Sequence, residues 1–168
     1  MRHRLRLPAL TTGLVSAACL LLLLPPSPAA ADPPGNNGTV KIGEIDVDEG
    51  NANDPHVACD FELRFYNFDE GQTATITFTI HPPSGQDTVL FSDTRVVSDD
   101  PAGGGQDLDE IFTFSGTDFG LERFTRQPNQ GYHVKLDIVS DGVPGGQKHK
   151  VFWLDCPQPP KCPPKSDP

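Results

Sequence analysis

The chain has 168 residues, with 13 basic and 23 acidic side chains and a formal net charge of −10 at pH 7. A surface this acidic repels nucleic acids and anionic lipid headgroups, because both require a positively charged footprint on the protein. Charge therefore argues against nucleic-acid binding and leaves extracellular modules, cation-binding proteins and enzymes open.

Residues 1–31 have the pattern of a cleavable secretory signal peptide. Three arginines precede an apolar run from Leu10 to Leu24, and the triplet Ala29-Ala30-Ala31 follows it. Signal peptidase recognises a basic start, a short apolar centre and an A-x-A site, whereas about 15 apolar residues fall short of the ~20 that a spanning helix needs. We predict cleavage before Asp32, a secreted, extracellular or loosely wall-associated protein, and no stable membrane anchor after cleavage. Losing three arginines and no acid changes the net charge from −10 to −13.

Two segments without a hydrophobic pattern bracket the remaining chain. Residues 32–38 are mostly Pro, Gly and Asn, and we expect them to form a flexible N-terminal arm. Residues 157–168 are rich in proline, which favours an extended, semi-rigid tail. Residues 39–156 are then expected to form one β-domain, since their number suits a single core.

Within this domain, apolar and polar residues alternate with a period of two, which is typical of half-buried strands. Val40 and Ile42 begin the pattern, and a change of phase at Gly43 lets Ile45 and Val47 continue it, as a β-bulge would.

Two segments alternate most regularly. In the first, Val57, Cys59, Phe61, Leu63 and Phe65 face one side, and Asp60, Glu62, Arg64 and Tyr66 face the other. In the second, Ala74, Ile76, Phe78 and Ile80 alternate with four threonines. Further strands are predicted at residues 88–97, 108–115, 132–138 and 148–156, and residues 117–126 suggest a helical turn.

About seven short strands with one apolar face each must cover those faces against one another, because no helix is available to do so. The prediction is an all-β fold, a two-sheet immunoglobulin-like sandwich, with a small closed barrel as the alternative.

Three cysteines remain after signal cleavage, in an oxidising compartment. Cys59 is in step with Val57 and Phe61, and Cys156 ends the last strand in step with Leu154, so both can face the core. We predict a Cys59–Cys156 disulfide, which leaves Cys162 in the tail able to join two chains covalently. The alternative is a local Cys156–Cys162 pair with Cys59 as a buried thiol.

The acidic segment between the first two strands is a candidate calcium site. Its oxygen ligands are of the type that Ca²⁺ prefers, and they comprise Asp46, Asp48, Glu49, Asn51, Asn53 and Asp54. The spacing does not match an EF-hand, since Asn51 occupies the glycine position and Val57 the glutamate position. Asp and Asn also form turns by bonding to their own backbone, and we favour that interpretation. A second acidic set, Asp99-Asp100 and residues 107–110, flanks a glycine loop.

Other residues do not specify a reaction. His56, His81, His133 and His149 stand singly in the sequence, without the paired spacing typical of zinc or copper ligands. No G-x-S-x-G elbow, zinc-protease helix or phosphate-binding loop occurs. Acidic residues such as Glu62 could form a glycosidase pair, but any acidic β-protein offers such pairs.

Five stretches carry a family resemblance: residues 55–61 (PHVACDF), 65–71 (FYNFDEG), 100–105 (DPAGGG), 128–136 (PNQGYHVKL) and 148–153 (KHKVFW). They resemble a group of uncharacterised secreted and cell-surface β-sandwich proteins of high-GC Gram-positive bacteria, some with sortase-type anchors. The resemblance covers about residues 40–156 and implies an exported sandwich and the Cys59–Cys156 pair, but no activity. Because this chain has no LPxTG motif, covalent wall attachment is not expected.

Together these patterns predict a secreted, non-catalytic extracellular β-sandwich module with a structural, adhesive or binding role. Its expected partner is an extracellular protein or glycan. No cofactor is expected, and calcium at the acidic segment is the less favoured alternative. The alternative is an extracellular hydrolase that acts on polysaccharide through an acid pair.

Overall fold

The computed structural model describes residues 38–47, 53–101, 105–141 and 146–158. These residues form eight strands: β1 (Thr39–Glu44), β2 (His56–Ala58), β3 (Asp60–Tyr66), β4 (Thr73–Ile80), β5 (Val89–Val96), β6 (Leu108–Ser115), β7 (Tyr132–Ser140) and β8 (Gln147–Asp155). Two short 3₁₀ helices, Gly116–Phe119 and Leu121–Arg123, lie where a helical turn was predicted. The predicted signal peptide, most of the N-terminal arm and nearly all of the proline-rich tail lie outside the described residues.

The strands form two sheets, one of three strands in the order β1-β3-β6 and one of five in the order β2-β8-β7-β4-β5. All neighbours are antiparallel except β2 and β8, which are parallel. An immunoglobulin-like sandwich also places its first, second and fifth strands in one sheet and its third, sixth and seventh in the other. The remaining strand, β5, lies at the edge of the larger sheet, where variable-type domains also carry an added strand. With β2 counted as an extra short strand, the topology confirms the all-β, immunoglobulin-like sandwich that the sequence predicts.

The additional strand arises at Cys59, where the chain passes from one sheet to the other. A single strand was predicted through this region, but β2 pairs with β8 of the larger sheet, and β3 pairs with β1 and β6 of the smaller one. Val57 and Phe61 nevertheless both face the core, with 2% and 0% of their surfaces exposed. Alternation reports which side of a strand is buried and does not report the sheet to which it belongs.

The prediction that β1 continues through Ile45 and Val47 is wrong, since the strand ends at Glu44. The chain turns at Asp46, which has a positive φ of 61°. The Arg64 guanidinium explains this turn, because its Nη2 donates to the carbonyl oxygens of Glu44 and Val47 at 3.3 and 2.5 Å.

Arg64 also forms an ion pair with Glu62, and both side chains are nearly buried on the outer face of the smaller sheet. They face away from the core as predicted, but the turn after β1 contacts Arg64 there. The outer face of the three-stranded sheet is therefore not a freely solvated surface at this point.

The core lies between the inner faces of the two sheets, and phenylalanine rings connect them. Phe61 of β3 contacts Phe78 of β4 and Phe152 of β8, with ring centroids 5.6 and 5.5 Å apart. Each fully buried ring contributes roughly 1.5–3 kcal/mol through removal of apolar surface from water. The outer face of β4 carries threonines, of which Thr75 hydrogen-bonds to Thr94 at 2.8 Å and Thr77 to Ser92 at 3.0 Å.

Among the described residues, no helix has both the length and the apolar character that a bilayer-spanning segment requires.

Candidate functional site

Four aromatic rings form a continuous row across the outer face of the five-stranded sheet, and we call this set the ring row: His56, Trp153, His133 and His81. The strand register creates it, because Trp153 of β8 lies opposite His56 of β2 on one side and His133 of β7 on the other. His81 follows β4, and its N–H donates to the carbonyl of His133 at 2.9 Å. Cross-strand neighbours on one face are close enough for aromatic rings to stack.

The rings of the row stack at close range. The Trp153 and His133 ring centroids are 4.4 Å apart with planes inclined by 22°, and those of Trp153 and His56 are 6.5 Å apart and inclined by 12°. The His133 and His81 centroids are 5.2 Å apart. His56 is exposed and the other three side chains are half-buried.

Hydrogen bonds fix two of the imidazoles and leave other ring nitrogens available. His81 Nδ1 pairs with Asp87 Oδ1 at 2.9 Å, and His133 Nδ1 lies 2.6 Å from the carbonyl oxygen of Pro82. The His133 backbone N–H donates to the hydroxyl of buried Ser84 at 2.9 Å. Within the described part of the chain, the Trp153 indole N–H and the Nε2 atoms of His81 and His133 have no hydrogen-bond partner.

The surface beside the ring row is polar and nearly neutral. The next positions along the strands place Thr79, Lys135 and Val151 side by side. Beyond them lie Thr77, Asp137 and His149, and Lys135 Nζ forms an ion pair with Asp137 at 3.0 Å. This face therefore offers hydroxyl and imidazole groups with little net charge.

The histidines that stand singly in the sequence are thus partly assembled by the fold. His56, His81 and His133 share one row with Trp153, while His149 lies on the same face opposite Asp137. No spacing in the sequence reveals this, because the row runs across the strands. A three-ligand metal group does not result, since the histidines are absent from such groups within the described residues.

Three carboxylates do converge within the described residues, at Asp100, Asp107 and Asp109, with one ligand oxygen from each within 4.8 Å of the others. Burial raises the pKa of Asp109, and the negative charges of Asp107 and Asp100 raise it further. The Phe68 N–H and, to a smaller extent, the Ser98 side chain oppose this rise. Phe68 N donates to Asp109 Oδ2 at 2.9 Å, whereas Oδ1 is buried without a partner in the described structure. The second acidic set of the sequence therefore forms a cluster that favours a proton on Asp109.

The described members of the predicted calcium site do not form a common cluster. Asp46 lies in the turn after β1, and Asp54 Oδ1 accepts from the His56 N–H at 2.9 Å, as a turn-forming aspartate does. Asp48, Glu49 and Asn51 lie outside the described residues. Lys150 lines the same small cavity as Asn53 and Asp54. Calcium binding at this segment stays the less favoured alternative, and the structure does not test it.

The Cys59–Cys156 disulfide is present, with the two Cα atoms 4.4 Å apart. It joins the crossing between β2 and β3 to the end of β8, and Gly116 packs directly against it. The Gly116 N–H donates to the Cys59 carbonyl at 2.7 Å, and a Cβ on Gly116 would overlap Cys156 Sγ. Arg126 Nε donates to the Cys156 carbonyl at 2.9 Å, so the end of β8 is held twice.

A cavity of about 440 Å³ adjoins this disulfide. Leu121, Pro157 and the two half-cystines supply its apolar wall, and Glu122 and Gln158 are among its polar lining residues. The volume lies within the range of ~300–1,000 Å³ that is usual for ligand pockets. No sequence motif marks this cavity, because its walls come from the 3₁₀ turns and the end of β8.

Comparison with protein-family models, with curated proteins and with solved structures found no match to this chain.

Proposed function

We propose that this protein is a secreted, non-catalytic module that binds an extracellular glycan on the outer face of its five-stranded sheet. The ring row is the observation that carries the proposal. It places an indole and three imidazoles next to one another at a solvent-facing surface. None of these rings belongs to the core between the sheets, so packing of the core does not explain why they lie together.

The chemistry of this face matches a polyhydroxylated ligand. Imidazole and hydroxyl groups can each donate and accept a hydrogen bond, as sugar hydroxyls do, and the indole N–H adds a donor. The Lys135–Asp137 ion pair brings opposite charges together beside the ring row, so a neutral glycan does not have to compensate an isolated charge there.

A protein partner is the second class of ligand that the sequence predicts. The centre of a protein interface is usually enriched in apolar surface that excludes water. On this face the exposed apolar side chains are four valines, Val89, Val96, Val139 and Val151. Polar residues of β4 and β7, among them Thr79 and the Lys135–Asp137 pair, lie between them. The mixed polar surface favours a hydrated glycan over a dry protein interface.

Secretion is supported by the signal-peptide pattern and by the disulfide, which persists in oxidising compartments. The test is N-terminal sequencing of protein recovered from the culture medium, for which we expect a start at Asp32. Recovery of chains that keep Met1 in a membrane fraction would overturn this part of the proposal.

Glycan binding can be tested by affinity electrophoresis in gels that contain neutral polysaccharides, with anionic polysaccharides and wall proteins as comparison ligands. We expect retardation by a neutral polysaccharide and about tenfold weaker binding of the Trp153→Ala and His56→Ala variants, equivalent to ~1.4 kcal/mol. Val139→Thr, on the same face away from the row, is the matched control and should bind like the wild type. Equal binding by all variants, or binding to wall proteins alone, contradicts the proposal.

The alternative, a polysaccharide hydrolase, is supported by carboxylates that share surface cavities. Asp60 and Asp118 line one cavity, and Asp46 and Glu62 line another. A glycosidase needs a protonated acid opposite a second carboxylate. If the protein releases new reducing ends from a polysaccharide and Asp60→Asn or Glu62→Gln abolishes the release, the non-catalytic proposal is wrong.

A further inference from the structure

The cavity beside the disulfide combines an apolar wall with one carboxylate that has no partner among the described residues. Leu121, Pro157 and the Cys59–Cys156 pair provide the wall, and Glu122 lies at the cavity. Among the described residues, the Glu122 carboxylate forms no hydrogen bond or ion pair. Glu122 is exposed at this site, so a ligand with an apolar body and a positive charge could contact both the apolar wall and the carboxylate.

The chain itself contains segments with this chemistry. Its C-terminal residues include Pro-Pro-Lys twice, at 159–161 and 163–165. Proline rings are recognised by shallow apolar grooves at little cost in conformational entropy, since the φ angle is already fixed. A lysine directly after two prolines can then reach a carboxylate at the edge of the groove.

We propose that the cavity binds a Pro-Pro-Lys segment of a second copy of this chain, with the lysine ammonium paired to Glu122. The same chain is a poor donor, because Pro157 and Gln158 already line the cavity. Two consecutive prolines disfavour the immediate reversal that would bring residues 159–161 back onto that wall. The only residues that could turn residues 163–165 back are that same Pro-Pro-Lys and Cys162. A segment from another copy can approach without such a reversal.

This association is independent of the glycan proposal, since it uses neither the ring row nor the outer face of the sheet. It also gives the proline-rich tail a role, and it brings Cys162 of one copy near the domain of another. The association itself is non-covalent and does not require that thiol.

The test is sedimentation equilibrium of the exported chain carrying Cys162→Ser, which removes any covalent link between copies. We expect self-association that increases with protein concentration. Deletion of residues 159–168 should abolish it, and Glu122→Gln should weaken it by about tenfold, the effect of ~1.4 kcal/mol. Asp118→Asn, an exposed carboxylate in the neighbouring 3₁₀ helix, is the matched control and should associate like the parent.

A synthetic peptide of residues 157–166 provides the second measurement. It should compete with self-association and bind the deleted chain with one peptide per domain, and circular dichroism should show that every variant is folded. A monomer at all concentrations, or equal association of the parent and the deleted chain, would overturn the proposal. So would a peptide that binds the Glu122→Gln variant as tightly as the parent.

Discussion

Trp153 and His133 lie directly opposite each other on β8 and β7, and their ring planes are nearly parallel at a centroid distance of 4.4 Å. Stacked aromatic pairs contribute about 0.5–1.5 kcal/mol beyond the burial of their surface. A double-mutant cycle with Trp153→Ala and His133→Ala should therefore give a coupling energy of about 1 kcal/mol in urea unfolding. The pair His149 and Trp153, on the same strand and face but not stacked, is the control. Additive effects for Trp153 and His133 would show that the stacking does not stabilise the domain.

Gly116 is expected to be required for full stability because it contacts the disulfide. A Cβ at this position would overlap Cys156 Sγ and press on Leu154 Cδ2 at 2.9 Å. Gly116→Ala should lower the free energy of unfolding by about 1–3 kcal/mol, the usual cost of overpacking. Gly43→Ala is the matched control, since its nearest neighbour would be Arg64 Nη1 at 3.4 Å, an ordinary contact. Equal effects of the two substitutions would mean that the backbone around Gly116 shifts to accommodate the Cβ without a loss of stability.

The sequence predicts the individual strands well where one sheet contains the whole alternating segment. The β6 bounds agree with the prediction at both ends, and every second residue of β4 is buried, because alternation is a local property. The crossing at Cys59 and the burial of Glu62 and Arg64 were not predictable in this way. Both depend on what packs against the strand, and that information comes from distant residues.

The ring row is a further example of this limit. His56, His133 and Trp153 meet because β2 pairs in parallel with β8 and β7 pairs antiparallel with it. A shift of one residue in either register would move one ring to the other face of the sheet. The alternation in the sequence indicates that these residues face outward. Whether their rings contact one another depends on the strand register, which the sequence does not show.

The disulfide closes a loop between residues 97 positions apart. Its removal in the Cys59→Ala, Cys156→Ala double variant should cost about 4–5 kcal/mol in the chain-entropy model. Cys162→Ser should leave the free energy of unfolding unchanged, because that cysteine is not part of the pair. If Cys156 were paired with Cys162 in solution, Cys162→Ser would be destabilising, and peptide mapping without reduction would recover a Cys156–Cys162 peptide.

Tyr132 begins β7 with none of its surface exposed, and its hydroxyl has no hydrogen-bond partner within the described structure. Burial raises the pKa of this phenol above its usual value, so it is neutral at ordinary pH. A buried polar group without a partner costs about 1–3 kcal/mol. Tyr132→Phe should therefore raise the free energy of unfolding by about 1 kcal/mol, measured by urea unfolding. Tyr66→Phe, at a half-buried position, is the control and should change little. A loss of stability in Tyr132→Phe would reveal a hydrogen bond that the hydroxyl makes in solution.

Asp109 should make the domain less stable as the pH rises through the acidic range. Burial, together with Asp107 and Asp100, raises its pKa above the ordinary value of 3.8, so the folded state binds its proton more tightly than the unfolded state. The contribution of protonated Asp109 to the free energy of unfolding is complete below pH 3.8, the unfolded pKa. It is lost as the pH rises through the folded pKa, so the ionised carboxylate is destabilising at pH 7.

Asp109→Asn should consequently raise the melting temperature at pH 7 and flatten its dependence on pH, since an amide oxygen can still accept from Phe68 N–H. Asp93→Asn is a control of opposite sign. The hydrogen bond from the Arg95 side chain is the largest cause of the lowered pKa of Asp93. Ionised Asp93 therefore contributes to stability above its unfolded pKa, and this contribution is lost as the pH falls through the folded pKa. Thermal melts between pH 3 and pH 8 distinguish the two variants. A lower melting temperature of Asp109→Asn than of the wild type at pH 7 would mean that the ionised carboxylate has a favourable partner in solution. If the wild type melts at the higher temperature only when Ca²⁺ is added, that partner is a cation.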